Sequence, residues 1–230
     1  MKKILVFGAH PDDIEFGCGG LLIKEKQEGA EIKLVVCSFG EAGTNGTKEI
    51  RRKEAEAAAL FLGAEIEFLD LGGDCHIQYN PETSFTLASV IRNFQPNIVL
   101  STSLAENQHP DHLALAQSVR AACRLARYGG LKELSANKFH VIDALYYYPS
   151  SAEFYKNPDI IVDVSHVYPK WKELMSFHES QMQTRSYINM VESRAKYLGV
   201  SVGVDYAIGL WVNDSVRVDS LFSLGSSRKY

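Results

Sequence analysis

The first half of the chain alternates short apolar runs with longer amphipathic segments, and this alternation constrains the fold more than any other feature. Apolar runs rich in branched residues, typical of strands buried on both faces, occur at residues 3–9, 31–39, 65–71 and 96–103. Helices are predicted between and after these runs, at residues 19–29, 48–62, 83–94 and 110–127. The alternation predicts an α/β fold, with a Rossmann-like, doubly wound and mostly parallel sheet that carries helices on both faces.

The second half of the chain has a less regular pattern. The elements expected there are two strands, at residues 141–148 and 159–164, and two helices, at 170–181 and 187–198. No internal repeat, low-complexity tract or long linker separates the two halves. We therefore expect a single domain, residues 1–230, with a core formed by 1–127 and a C-terminal part, 128–230, packed on the same sheet.

Charge and composition exclude several classes of protein. The net charge is −4 with acidic and basic residues interleaved, so no basic surface for nucleic acid is expected. No apolar run reaches the roughly 18 residues of a membrane-spanning helix, and the apolar start at residues 1–9 is too short for a signal peptide. The four cysteines lack C-x-x-C spacing, which argues against a zinc knuckle or a disulfide framework. These features predict a cytoplasmic protein that binds neither nucleic acid nor a membrane.

Two short polar motifs follow predicted buried strands. They are HPDD at residues 10–13, directly after the first strand, and HPDH at residues 109–112, after the fourth. In a doubly wound sheet of order 3-2-1-4 the first and fourth strands are neighbours, and ligands bind beyond their carboxyl ends. The two motifs are therefore expected to meet, although about a hundred residues separate them in sequence.

Side chains of these types can hold a catalytic metal ion. Two neutral imidazoles and one carboxylate form a three-ligand zinc site whose fourth position stays open for water. A second carboxylate can take the proton of that water, and a second histidine can bind the oxygen of the carbonyl under attack. The spacing leaves open which of Asp12 and Asp13 binds the metal and which acts as base, and likewise for His109 and His112.

A plainer interpretation also exists for each motif. Proline and aspartate form turns and helix caps without any metal, so HPDD alone could be a loop. The second, correctly placed motif favours a metal site over that alternative. The isolated histidines are expected to be packed or surface residues without a role; they are His76, His140, His166 and His178.

Taken together, the motifs resemble those of the PIG-L/LmbE-like zinc-dependent N-acetylglucosaminyl deacetylases. The resemblance lies in AHPDDIE at residues 9–15, GCGG at 17–20, the loop and helix at 40–54, and HPDH at 109–112, and it spans residues 3–127. Weaker likeness continues towards the C-terminus and is closest to the bacillithiol-biosynthesis branch. That branch removes acetyl from a glucosaminyl malate conjugate, so the resemblance implies a hydrolase of that kind.

The resemblance also implies a role for each matching residue. It makes His10, Asp13 and His112 the ligands of Zn²⁺, with Fe²⁺ as an alternative ion. Asp12 is then the general base, and His109 stabilises the oxyanion and protonates the leaving amine. Arg51 matches the arginine that binds the sugar, with Asn45 in the neighbouring loop. Glu15 and Asp111 are expected to orient the metal ligands through hydrogen bonds.

Two departures from the branch pattern leave the substrate open. Asn107 and Gln108 stand where the branch has Asp-Arg, and Ile208 stands where it has an acidic residue. Deacylation of another acylated amino sugar or natural product is therefore an alternative, and a non-catalytic nucleotide-binding module is a third. Assembly among relatives of the family also suggests a homo-oligomer.

Overall fold

A single seven-stranded sheet forms the centre of the computed structural model, which describes residues 2–106, 108–150, 157–220, 222 and 225. The strands are β1 (Lys3–Gly8), β2 (Glu31–Val36), β3 (Glu65–Phe68), β4 (Ile98–Thr102), β5 (Ala144–Tyr148), β6 (Ile160–Asp163) and β7 (Ala207–Val212). Their order is β3-β2-β1-β4-β5-β7-β6. The first five pair in parallel, whereas β7 runs antiparallel to β5 and β6. The predicted α/β fold class is confirmed, and so is the 3-2-1-4 order of the first four strands.

Helices cover both faces of this sheet. They are α1 (Asp13–Gln27), α2 (Lys48–Leu62), α3 (Pro81–Phe94), α4 (Pro110–Ala126), α5 (Tyr168–Ser176) and α6 (Tyr187–Val202). One core cluster joins the sheet to α1, α2, α5 and α6, and the other joins it to α3 and α4. Strand β1 feeds both clusters, with Ile4 and Val6 on one face and Leu5 and Phe7 on the other. This double burial explains the continuous apolar run at the start of the chain.

Helix α2 has the bounds that the sequence predicts, because local signals fix both ends. The side chain of Thr47 accepts a hydrogen bond from the Ile50 N–H, which caps the first turn. Gly63 has φ +68°, the left-handed conformation that ends helices and that glycine adopts without strain.

Helix α1 begins at Asp13, six residues earlier than predicted, and this is a correction with consequences for the site. The glycines of the GCGG motif, residues 17–20, lie inside the helix and allow close packing. A Cβ at Gly17 would overlap the ring of Tyr148, and one at Gly20 would lie 2.9 Å from the ring of Trp171. The helix is buried along most of its length, and Asp13 occupies its first turn.

The C-terminal part departs most from the prediction. Strand β7 was not expected, and it inserts between β5 and β6. The helix expected at residues 170–181 ends at Ser176 and is followed by a short 3₁₀ turn, Glu179–Gln183. The bounds of the domain, 1–230, stay a prediction. Among the described residues, none of the helices is long and apolar enough to cross a membrane.

Candidate metal centre

The two polar motifs meet at the carboxyl edge of the sheet. Strands β1 and β4 are parallel neighbours, with Val6 opposite Leu100, so the segments that follow them emerge side by side. HPDD leads into α1, and HPDH leads into the first turn of α4. The contact across the two motifs is close, since Nδ1 of His10 lies 3.2 Å from Nε2 of His112.

Three donor atoms converge at this contact. Nε2 of His112 lies 3.0 Å from Oδ1 of Asp13, and Nδ1 of His10 lies 3.5 Å from Oδ2 of the same carboxylate. Around a tetrahedral zinc ion, nitrogen and oxygen ligands lie about 3.3 Å apart, given bond lengths of about 2.0–2.1 Å. Each of the three residues is 7% exposed. The geometry therefore fits a divalent ion, and His10, Asp13 and His112 form a group that could hold it.

The backbone fixes the Asp13 carboxylate in place. Its Oδ2 accepts hydrogen bonds from the N–H groups of Ala9 and His10, both at 2.9 Å. Burial alone would raise the pKa of Asp13, but His112 and His10 outweigh it and hold the pKa well below its usual value. The carboxylate therefore stays ionised in a buried position, as a metal ligand must.

The other ring nitrogen of His10 faces two carboxylates. Nε2 lies 3.2 Å from Oδ2 of Asp111 and 3.0 Å from Oδ1 of Asp74. An N–H on Nε2 leaves Nδ1 with its lone pair towards the proposed ion. Burial lowers the pKa of His10, but Asp111, Asp13 and Asp74 raise it to about 12. Such surroundings strongly favour a positive charge at this point, whether a proton or a metal ion carries it.

The sequence predicted Asp111 as a site residue but did not predict Asp74. Asp111 was expected to orient a ligand, and its carboxylate lies beside His10; its role stays a prediction. Its carboxylate also accepts hydrogen bonds from the N–H groups of Cys75 and Ile77. Asp74 was missed, because it lies in the loop after β3 and belongs to no motif. Its one signal is position, since β3 ends at the same edge of the sheet as β1 and β4.

Glu15 does not orient a metal ligand, contrary to the expectation. Its Oε2 lies 3.3 Å from Nε2 of His178, on the far side of the first turn of α1. His178 is fully buried and packs against the ring of Phe16, at 5.8 Å between centroids. The early start of α1 explains the difference, because it turns residue 15 away from the face that carries Asp13.

Asp12 sits at the proposed metal site in an unusual backbone conformation. Its φ of +111° costs a non-glycine residue about 1–3 kcal/mol, which the surrounding contacts must offset. Oδ2 of Asp12 accepts a hydrogen bond from Nη2 of Arg51 at 3.2 Å. Burial raises the pKa of Asp12 to about 6, although the charge of Arg51 opposes that change. A carboxylate with this pKa is ionised at neutral pH and still accepts a proton readily.

Arg51 lies at the cavity wall, but it is only 4% exposed and both of its Nη atoms donate within the protein. Nη1 donates to the carbonyl of Gly40 at 2.8 Å, and Nη2 donates to the carbonyl of Pro11 at 2.7 Å as well as to Asp12. Gly40 has φ +64°, and a Cβ there would overlap the guanidinium. Arg51 therefore ties the loop after β2 to the HPDD motif.

Asn45 is not brought to the cavity. Its side chain donates to Oγ1 of Thr184 at 3.1 Å, and its carbonyl accepts from Gln181 at 2.9 Å. These contacts join the loop at residues 40–47 to the 3₁₀ turn. Asn45 thus lies behind the residues that line the cavity.

His109 lines the same cavity as Asp12. Its Nδ1 accepts a hydrogen bond from the N–H of Asp111 at 3.3 Å, so Nε2 carries the proton of the neutral ring. Burial lowers the pKa of His109, and the neighbouring His10 and His112 lower it further. The structure therefore offers a neutral imidazole N–H donor beside the three converging atoms, with 4.6 Å between the ring centroids of His109 and His10.

A cavity of about 450 Å³ opens over these groups. The C-terminal part supplies its far wall, and no motif identified those residues; they include Gln181, Arg185, Tyr187, Met190 and Arg194. Gln108 also lines the cavity, where it donates to the carbonyls of Ser103 and Ala105. Asn107 lies outside the described residues. Ile208, the second departure from the branch pattern, is 3% exposed and belongs to the core.

Comparison with known proteins places this geometry in context. The model of the PIG-L family, described as GlcNAc-PI de-N-acetylase, matches residues 5–123. A 4-oxalmesaconate hydratase from Pseudomonas putida is 33% identical over 185 residues, which cover 74% of this chain and 70% of the hydratase.

Two solved structures have the same fold as this chain. The conserved protein TT1542 from Thermus thermophilus superposes with a TM-score of 0.84 at 29% identity, over 95% of this chain and 97% of TT1542. The N,N'-diacetylchitobiose deacetylase from Pyrococcus horikoshii gives a TM-score of 0.82 at 25% identity, over 92% of this chain and 83% of the deacetylase.

Proposed function

The chain belongs to the PIG-L family, and on that premise we propose that it removes the N-acetyl group from a glucosamine-containing small molecule with the help of a divalent metal ion, Zn²⁺ in the first instance. The observation that carries this proposal is the convergence of His10 Nδ1, His112 Nε2 and the Asp13 carboxylate at the base of the cavity. Family membership favours an enzyme over a non-catalytic nucleotide-binding module. Bacillithiol biosynthesis is one setting for this reaction, but none of the relatives described above is named for it.

The three converging residues are the proposed metal ligands. His10, Asp13 and His112 would hold the ion, and Zn²⁺ bound there would supply Lewis-acid chemistry, with a lowered pKa of water and a polarised amide carbonyl. Fe²⁺ would fit the same nitrogen and oxygen donors. Asp111 and Asp74 keep the proton of His10 on Nε2 and so keep Nδ1 available as a donor.

Asp12 is the proposed general base. It takes a proton from the attacking water, and its pKa of about 6 suits that task at neutral pH. Arg51 binds Oδ2 of Asp12 and fixes the carboxylate against rotation. The positive φ of Asp12 supports this role, since strained residues are held where function requires them.

His109 is the proposed acid and oxyanion donor. Its Nε2 carries the proton because Nδ1 is used by the N–H of Asp111, and the residue lines the cavity. The Nε2–H group can donate to the carbonyl oxygen as negative charge develops there, and the lowered pKa of His109 keeps the ring neutral for this role. His109 can protonate the amine nitrogen as the C–N bond breaks only after its ring has taken up the proton that Asp12 removed from water.

The cavity wall bears on the identity of the substrate. A volume of about 450 Å³ accommodates a sugar with a substituent. Arg185 is exposed at the mouth and lies over the ring of Tyr187, at 5.8 Å from the centroid. An exposed guanidinium beside an aromatic ring suits an acidic substituent, as in N-acetylglucosaminyl malate.

The test is product analysis with zinc-loaded protein. N-acetylglucosaminyl malate, diacetylchitobiose and other acetylated amino sugars are incubated separately, and released acetate and free amine are measured. We expect both products in equal amounts from at least one substrate. We also expect loss of activity in Asp12→Ala and His112→Ala but not in His166→Ala, whose histidine is exposed and remote from the site. Full activity of the first two variants would refute the mechanism.

A second candidate is the addition of water to an unsaturated carboxylate. The observation that favours it is the 33% identity to 4-oxalmesaconate hydratase over 74% of this chain. Asp12 and His109 line the same cavity, and such a pair suits proton removal from water and proton delivery to carbon. The protein is incubated with a conjugated unsaturated carboxylate and, separately, with acetylated amino sugars. A decrease in the near-ultraviolet absorbance of the carboxylate, with no acetate released from the sugars, would favour the hydratase.

A further inference from the structure

A second group of metal-binding side chains lies at the edge of the site. Sγ of Cys75 is 3.6 Å from Nε2 of His109 and 3.6 Å from Oδ1 of Asp74. These three donor atoms all lie within 4.8 Å of one another. None of them belongs to the group of His10, Asp13 and His112, so the group could bind an ion of its own.

The distances match those of a zinc site. With Zn–S near 2.3 Å and Zn–N near 2.0–2.1 Å, a sulfur and a nitrogen on adjacent corners of a tetrahedron lie about 3.6 Å apart. Cys75 is exposed whereas Asp74 is 6% exposed, so the group is anchored in the protein and open to solvent on one side. Water can complete the coordination from that side.

Cys75 is held in this position by its backbone. Its N–H donates to Oδ2 of Asp111 at 2.7 Å, and its φ of +66° lies in the left-handed region. Asp111 thereby connects the two groups, because the same oxygen also faces Nε2 of His10. The other cysteines, Cys18, Cys37 and Cys123, are buried, so Cys75 is the exposed thiol of the described part of the chain.

From this geometry we propose that Asp74, Cys75 and His109 form a second, inhibitory site for a thiophilic divalent ion such as Zn²⁺ or Cd²⁺. Thiolate and imidazole ligands select these ions over Mg²⁺. Binding releases the proton of the Cys75 thiol and needs the Nε2 lone pair of His109. The ring proton therefore moves from Nε2 to Nδ1, which breaks the hydrogen bond from the Asp111 N–H to Nδ1. The inhibitory effect rests on the role proposed above for His109, because a ligated Nε2 no longer carries a proton to donate.

Cys75→Ser tests the site, since serine keeps the size of the side chain and removes the thiolate from an exposed position. Zinc content after equilibrium dialysis should approach two ions per chain in the parent and one in Cys75→Ser. Titration with Co²⁺ should produce a cobalt–thiolate charge-transfer band in the parent and not in the variant. Excess Zn²⁺ should inhibit the parent, while the variant should need at least about tenfold more zinc, given that lesser changes around metal sites cost about 10–100-fold in affinity.

Cys123→Ala is the matched control and should behave like the parent, because its thiol is buried. The proposal is overturned if the parent binds one zinc ion and shows no thiolate band, or if Cys75→Ser is inhibited as strongly as the parent. The failures of the two proposals are distinguishable. A cobalt–thiolate band without any deacetylation would refute the proposed function alone, and deacetylation without the band would refute the second site alone.

Discussion

Replacement of Arg51 by lysine separates two roles for this residue. The family pattern makes Arg51 a substrate ligand, which predicts a higher KM and an unchanged stability. The structure instead has its buried guanidinium donating to the carbonyls of Gly40 and Pro11 and to Asp12. A single ammonium cannot reach all three acceptors, because it lacks the fork geometry of the guanidinium.

The size of the effect follows from the number of bonds lost. Two buried acceptors lose a charged donor at about 1.5–3 kcal/mol each, so Arg51→Lys should lower the free energy of unfolding by about 3–6 kcal/mol. For a chain of this length that corresponds to a decrease in Tm of roughly 6–24 °C. The value of kcat should also decrease, because Asp12 loses the group that fixes its Oδ2.

Urea unfolding and steady-state kinetics measure these effects. Arg52→Lys is the matched control, since Arg52 is exposed and pairs with Glu56 at 2.8 Å; its cost should stay within about 0.5 kcal/mol. An Arg51→Lys variant as stable as the control, with a changed KM and the parental kcat, would show that Arg51 serves the substrate and not the loop.

Three further predictions concern backbone strain, pH and substrate charge. Gly40→Ala should lower Tm far more than Gly29→Ala. Both glycines have positive φ, but only a new Cβ at position 40 would overlap the Arg51 side chain. Equal decreases in Tm would contradict this packing. Burial lowers the pKa of His178, but the carboxylates of Glu15, Asp12 and Glu54 outweigh burial and raise the pKa. Protonated His178 therefore stabilises the fold fully below about pH 6.5, and this stabilisation is lost as pH rises. Urea unfolding at pH 6 and pH 8 should therefore show a smaller pH dependence for His178→Gln than for the parent. Arg185→Ala should raise KM for an acidic acetylated sugar and leave KM for neutral diacetylchitobiose unchanged; a similar rise for both would exclude charge recognition.

Local sequence signals predicted the elements that position the metal motifs. The apolar runs identified β1 and β4, and the topology of a parallel sheet places their carboxyl ends together. Thr47 and Gly63 fixed the ends of α2 because capping depends on a few neighbouring residues. Such features are predictable since their energies arise within one or two turns of the chain.

Other features depend on contacts between distant segments, and the sequence pattern did not reveal them. The sequence pattern predicted a helix that begins only at residue 19, yet the glycines of α1 lie inside it and make room for Tyr148 and Trp171, which are more than a hundred residues away. Asp74 lies at the site because the loop after β3 places its carboxylate 3.0 Å from Nε2 of His10. Strand β7 was missed because its pairing partners, β5 and β6, decide its place in the sheet.

The sequence by itself therefore determined the fold class and the two motifs that meet at the sheet edge, because hydrophobic periodicity and strand order are encoded locally. The tertiary structure decided what surrounds those motifs. In the folded chain Arg51 donates hydrogen bonds to backbone carbonyls, and Glu15 faces His178. Asp74 and Cys75 lie beside His109. The physical reason is that hydrogen bonds and buried charges depend on distances of a few ångströms between remote residues, which only the packed chain fixes.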